Sequence, residues 1–220
     1  MLRPNRKNRP SREEKAALNR QSLIDSAAVC IGEYGYNDAS IAKIADGAGL
    51  AHGTFYNYFE DRQDLFDQLL PIKGLDILAY IRRELREATS FIEMERLGLL
   101  AFQSYVQINP WFFRLLHEGR FATPKGHAIH MDNLFQPFVR ALKRWQSKGE
   151  LKGFTEGQLE SLAYLMIGAR DYLFVRSTAK GTVFKPLEKA QLEAYLELLR
   201  SGVLLKEAEA AASQETIKTT

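Results

Sequence analysis

Apolar residues recur at helical spacing along nearly the whole chain, and no stretch alternates apolar with polar residues as a half-buried strand would. This pattern predicts an all-α fold. Prolines and glycines fall mostly between the periodic segments, where helix breakers belong. Ser11 followed by Glu14 has the spacing of a capping box, so a first helix starts there. Ile24, Ala27, Ala28, Ile31 and Tyr34 mark its inner face, and Gly35 is expected to end it. Ser40 is the N-cap candidate of a second helix carrying Ile41, Ile44, Ala45 and Ala48. Gly49 follows where a tight turn needs a left-handed residue. A very short helix is predicted over about Ala51 to Tyr58, and a longer one from Arg62 after the polar break at Glu60 and Asp61.

The chain has 220 residues, enough for a substantial core in one or two domains. Its single cysteine, Cys30, excludes an internal disulfide and any cysteine-rich zinc site. No run of 18 apolar residues exists, and the basic N-terminus lacks the apolar stretch of a secretory signal, so a cytoplasmic protein is expected. His117-Glu118 lacks the second histidine of a zinc-protease motif. His127 and His130 have no matching carboxylate, and no nucleophile elbow or phosphate loop is present. An enzyme is therefore not expected, nor a cofactor or metal. A helical adaptor that binds only protein is the alternative outside enzymology.

Two short helices around a glycine turn make a helix-turn-helix pattern, a weak signal by itself. The local sequence is more specific. Ser40-Ile41-Ala42-Lys43-Ile44-Ala45, Ala48-Gly49-Leu50, Gly53-Thr54-Phe55-Tyr56-Asn57-Tyr58-Phe59, then Arg62 and Leu65 resemble the DNA-binding domain of TetR-type transcriptional regulators over residues 14–70. The residues themselves divide into two sets. Ile41, Ile44, Leu50, Phe55, Phe59 and Leu65 are apolar and form the expected small core, with Ala45 at a helix crossing. Lys43, Thr54, Tyr56 and Tyr58 remain outside it and can donate to phosphate oxygens. The resemblance implies DNA contacts from Ser40, Lys43, Ala51, His52, Gly53, Thr54, Tyr56, Tyr58 and Arg62, with His52 at the base edges. Ala51 occupies a capping position with no capping group, and Gly47 lies near the end of the preceding helix.

Net charge is only +3, but it is unevenly spread. Residues 1–20 hold seven basic and two acidic side chains, +5, whereas residues 21–70 set Lys43 and Arg62 against eight acids, −6. The remainder is +4. The basic arm is thus the electrostatic partner of an acidic head and is a candidate to lie along DNA.

The expected domains are a basic arm (1–13), a head (14–70), a ligand and dimer domain (71–205) and a tail (206–220). Pro71 should kink or restart the helix that begins at Arg62. The segment Leu159–Val175 is apolar almost all round, which indicates burial on most sides. The final helix carries Leu192, Tyr195, Leu196, Leu199 and Val203 as a stripe. By resemblance, these two helices form a homodimer interface, here represented by Leu165, Tyr172, Leu192, Tyr195, Leu196 and Leu199. Two-fold symmetry suits a palindromic operator. The resemblance also implies an effector pocket, with Phe102, Tyr105, Trp111, Phe112, Phe113, His117, Met131, Phe135, Tyr164 and Arg170 as candidate lining. Its aromatic character suits a small apolar or aromatic effector. Arg170-Asp171 inside the apolar helix requires a partner: each other across a dimer, or an anionic ligand for Arg170.

Overall fold

In a computed structural model, which describes residues 11–151, 153–178 and 184–204, the elements are helices and turns, with no strand among the described residues. They are α1 (Arg12–Asp38), α2 (Ile41–Gly47), a 3₁₀ segment (His52–Asn57), α3 (Arg62–Glu84) with a 3₁₀ turn after it (Leu85–Glu87), α4 (Phe91–Ile108), α5 (Trp111–Ala122), α6 (Pro124–Ser147), α7 (Glu156–Thr178) and α8 (Lys189–Leu199), which ends in a π-helical turn (Arg200–Leu204). The chain divides into two compact units. One comprises the residues up to Ile72 together with Trp111–His127, and the other Lys73–Pro110 and the chain from Ala128 onward. The candidate arm up to Pro10 and the tail 206–220 lie outside the described residues.

In the first unit the local signals act as their chemistry requires. The Ser11 hydroxyl accepts from the Glu14 amide at 3.1 Å, and the Glu14 carboxylate accepts from the Ser11 amide at 2.7 Å. Together they satisfy two donors that a helix start leaves open. Gly35 breaks α1 but does not end it. Its φ of +80° interrupts the helix, and a final turn continues to Asp38. The reason lies 80 residues away in sequence, on α5. Arg114 donates to the carbonyls of Gly32 and Glu33, and Glu118 accepts from the Tyr36 amide at 3.0 Å. A side chain at Gly35 would meet both Arg114 and Glu118. Gly49 has φ +67°, as the turn requires. Phe55, Phe59, Ile44, Ala45 and Leu65 are buried, whereas Ile41 and Leu50 are half-buried at the margin.

Pro71 does not restart its helix: α3 runs from Arg62 to Glu84 with Pro71 inside it. A proline supplies no amide hydrogen, so the Asp67 carbonyl four residues earlier loses its helical donor. At that carbonyl Gly126 of α6 comes so close that an added Cβ would stand 2.6 Å from the oxygen. The proline and the glycine therefore belong to one close approach.

In the second unit, the side-chain oxygen of Gln103 on α4 accepts from the amide of Leu187, just ahead of α8, at 2.5 Å. Burial of Leu192, Leu196 and Leu199 against this core explains the stripe on α8. Within one chain, the segment read as buried on most sides is covered on only part of its circumference. On α7, Leu159, Leu162, Ala163, Met166 and Phe174 are buried, but Tyr164, Leu165 and Tyr172 are 60%, 71% and 69% exposed. Apolar composition all round a helix cannot say whether its own chain or another covers each face.

Candidate nucleic-acid interface

The head presents a two-sided segment. Phe55 and Phe59 point inward, with ring centroids 5.5 Å apart, and hold the 3₁₀ segment against α2. Ala51, His52, Gly53 and Tyr56 are exposed on the opposite side, with Thr54 and Tyr58 partly so. The segment is a 3₁₀ turn where a short α-helix was predicted. Its start has no side-chain cap because Ala51 has no acceptor to offer. The His52 and Tyr56 rings meet edge to face at 5.8 Å, which fixes both on the outer surface. A Cβ at Gly53 would meet nothing within 4 Å, so only an external surface could require glycine there. At Gly47 the reverse holds: a Cβ would stand 2.5 Å from the Ser26 hydroxyl, which itself donates to the Ile44 carbonyl at 2.7 Å. Gly47 is thus the price of the close crossing of α1 and α2.

The other predicted contacts have work inside the head. The Ser40 hydroxyl caps α2 by accepting from the Lys43 amide. Lys43 donates to the Asp38 carbonyl at 2.9 Å and lies 4.0 Å from the Tyr34 ring centre. Arg62 donates to the Asn37 carbonyl at 3.0 Å and lies over Phe66. The last turn of α1 contains no basic residue, so these two cations arrive from elsewhere to meet its exposed carbonyls. A lysine has three donors and a guanidinium five, so both retain donors for a phosphate. Tyr58 accepts from the Asn19 side chain at 3.1 Å, and Arg20 binds Gln68 at 2.6 Å. Asn19 and Arg20 were not singled out in the sequence, because nothing local marks their partners 39 and 48 residues away.

The pocket candidates fall in both units. Trp111, Phe112, Phe113 and His117 lie on α5 in the first. Phe112 is buried there, and His117 is held by the Phe113 carbonyl at 2.8 Å and by the Phe113 ring. Trp111 packs directly on Gly32. The second unit holds the rest. Phe102, Phe174 and Phe184 form a three-ring cluster with centroids 4.6 to 6.3 Å apart. Tyr105 is buried against Tyr80, and burial, with Asp76 nearby, pushes its phenol up to about 12. Met131 and Phe135 are half-buried, and Tyr164 packs on Phe135 from an exposed position.

Arg170 has a protein partner within its own chain. Its guanidinium grips both carboxylate oxygens of Glu95, which is 1% exposed. The Tyr195 hydroxyl donates to the same carboxylate at 3.0 Å, and Phe138 covers the guanidinium. Burial pushes the Arg170 guanidinium down, but the charge of Glu95 and the Tyr195 hydroxyl outweigh it and leave the group raised. The sequence offered Asp171 or a ligand as the partner. The signal that could have found Glu95 is a carboxylate among the apolar residues of α4, between Met94 and Leu99. The interface candidates differ in exposure within one chain. Leu192, Tyr195, Leu196 and Leu199 are at most 8% exposed within one chain, so they are core and not free surface. Leu165 and Tyr172 remain available.

Among the described residues no three His, Cys, Asp or Glu side chains gather to hold a metal. No helix among them is long and apolar enough to cross a membrane. The first unit thus carries a helix-turn-helix head with an outward polar turn, joined in sequence to a larger helical unit. Residues 23–69 match the bacterial regulatory proteins of the tetR family. The chain is 32% identical over 78 residues to the fatty acid metabolism regulator protein of Bacillus subtilis (strain 168), a match spanning 36% of this chain and 39% of that relative. Among solved structures it resembles the transcriptional regulator FadR from Bacillus subtilis in complex with stearoyl-CoA (TM-score 0.69, 23% identity, 83% of this chain and 98% of that one). It also resembles the fatty acid degradation regulator FadR from Bacillus halodurans (TM-score 0.65, 20% identity, 82% and 94%). At these identities the structural likeness shows a shared fold.

Proposed function

We propose that the chain is a cytoplasmic, ligand-responsive repressor that binds a palindromic operator as a homodimer and is released by a long apolar effector of the fatty-acyl thioester class. The observation that carries the DNA reading is the outward display of His52, Gly53, Thr54 and Tyr56 from a segment anchored by Phe55 and Phe59. His52 reads base edges, and Thr54, Tyr56, Tyr58, Lys43 and Arg62 hold phosphates. The exposed face of α7, with Tyr164, Leu165 and Tyr172, supports pairing of two copies. A dimer presents two heads to half-sites about 34 Å apart.

The effector class rests on the relatives and on the rings of Phe102, Phe174 and Phe184, which suit a hydrocarbon chain. Release follows from linkage: a 100-fold loss of operator affinity needs a 100-fold difference, about 2.7 kcal/mol, in effector affinity between the two states. Selection of bound DNA with the purified protein, followed by titration of the complex with acyl thioesters of graded length, tests both parts. Specific binding relieved by long chains is expected. Specific binding untouched by any chain length would contradict the effector class, and absence of specific binding would contradict the regulator.

A further inference from the structure

One face of α1 is neither buried nor simply polar. Ser11, Leu18, Ser22, Asp25, Val29 and Glu33 follow one another at helical spacing, and Leu18 and Val29 are 59% and 54% exposed. Toward its C-terminal half this face becomes the wall of a groove of about 580 Å³ between α1 and α2. Asp25, Val29, Glu33 and Tyr34 line it from α1, and Asp46 from α2. Its lining cation, Lys43, is turned onto the Tyr34 ring and the Asp38 carbonyl. The groove thus combines exposed apolar surface with three carboxylates and one cation that is already engaged.

The chain carries a segment of opposite character and matching length. Residues 1–10 contain Arg3, Arg6, Lys7 and Arg9, no acid, and the apolar Met1 and Leu2. Laid back along α1 from Ser11, an extended chain advances about 3.3 Å per residue, while the helix beneath it advances about 1.5 Å. Lys7 then reaches about 13 Å, the level of Arg20, and Arg6 about 17 Å, the level of Ser22 and just short of Asp25. Arg3 reaches about 26 Å and Leu2 about 30 Å, between Asp25 and Glu33 and beside Val29. Charge and reach agree: Arg6 comes within a side chain's length of Asp25, Arg3 within a side chain's length of Asp25 and Glu33, and Leu2 falls near the exposed Val29.

We infer that the groove between α1 and α2 receives the chain's own N-terminal arm, residues 1–10, when no nucleic acid is bound. The head's acids then neutralise the cations that would otherwise meet DNA phosphates, and a polyanion must displace the arm to recruit it. The docking itself does not depend on the DNA reading. Its consequence for operator binding does.

A zero-length carbodiimide, which joins an amine to a carboxylate only in contact, tests the docking on the full chain. Lys7 is the arm's one lysine. Peptide mapping is expected to find Lys7 joined to Asp25 in low salt and not in 0.5 M NaCl. Mixing ¹⁴N and ¹⁵N protein should show the link within one chain. Links from Lys7 only to Glu13 or Glu14, or only between chains, would overturn the inference. The consequence is read by Asp25→Asn/Glu33→Gln/Asp46→Asn. Exposed ion pairs each shift an equilibrium about two- to threefold, so three neutralisations should tighten operator binding about tenfold in the full chain. Without residues 1–9 the same change should shift it less than twofold. Equal tightening in both backgrounds would show simple relief of repulsion and overturn the competition.

Discussion

Removal of Glu95 or Arg170 separately should damage the protein far more than removal of both. The Glu95 carboxylate is 1% exposed and accepts from Arg170 twice and from Tyr195 once. Arg170→Met leaves that charge buried with the Tyr195 hydroxyl, and breaking a buried pair in this way costs about 3–5 kcal/mol. The opposite change, Glu95→Leu, strands a guanidinium whose side chain is 19% exposed. Water can reach it, so the loss should lie near the lower end of the same range. A whole domain is stable by only about 5–15 kcal/mol, so either change is large. The double variant Glu95→Leu/Arg170→Met replaces the pair with apolar volume beside Phe138 and should fall within about 1 kcal/mol of the native protein. Urea unfolding followed by circular dichroism, at one fixed protein concentration, measures all four species. Singles that each cost under 1 kcal/mol, or a double as damaged as the sum of its singles, would refute the buried-pair account.

Further predictions address other parts of the chain. Gly53→Ala should leave the melting temperature unchanged, since its Cβ meets nothing, and weaken DNA binding. Gly47→Ala should instead lose about 1 kcal/mol in chemical unfolding, because crowding of Ser26 outweighs the helical gain. Stability should fall as pH rises from 10 to 12. Burial raises the phenols of Tyr36, Tyr195 and Tyr105, the last to about 12, so the unfolded chain ionises first. Their contribution is complete below pH 10 and lost above it, and Tyr105→Phe should flatten the decline in a melting series across that range. Pro71→Ala, which returns a donor to the Asp67 carbonyl, should alter release by effector more than effector-free operator affinity, as read by titrations with and without ligand.

The sequence was most legible where the determining contact is local. The caps at Ser11 and Ser40, the left-handed turn at Gly49 and the inward set Phe55, Phe59 and Leu65 all depend on neighbours within a few residues. Misreadings occurred where the determining contact is distant. Gly35 interrupts α1 because of Arg114 and Glu118, and the partner of Arg170 lies 75 residues away on α4. Pro71 lies within an unbroken helix beside Gly126, 55 positions on, which no local pattern announces. The stripe on α8 correctly announced a buried face, but a stripe carries no information on which chain buries it. The outward head residues were found because they are the ones the local core leaves over. The arm's likeness in charge and reach to the α1 groove required the groove's shape.

The outward turn at His52–Tyr58 is expected to read DNA. Fluorescence anisotropy on a selected duplex and on a scrambled one, over a series of salt concentrations, tests it most directly. Tight binding to the selected duplex alone is expected, with affinity falling linearly in log–log form as salt rises. Thr54→Ala and Tyr56→Ala are further expected to lose this binding while keeping native circular dichroism. Equal binding to both duplexes, or full binding by those folded variants, would contradict that expectation.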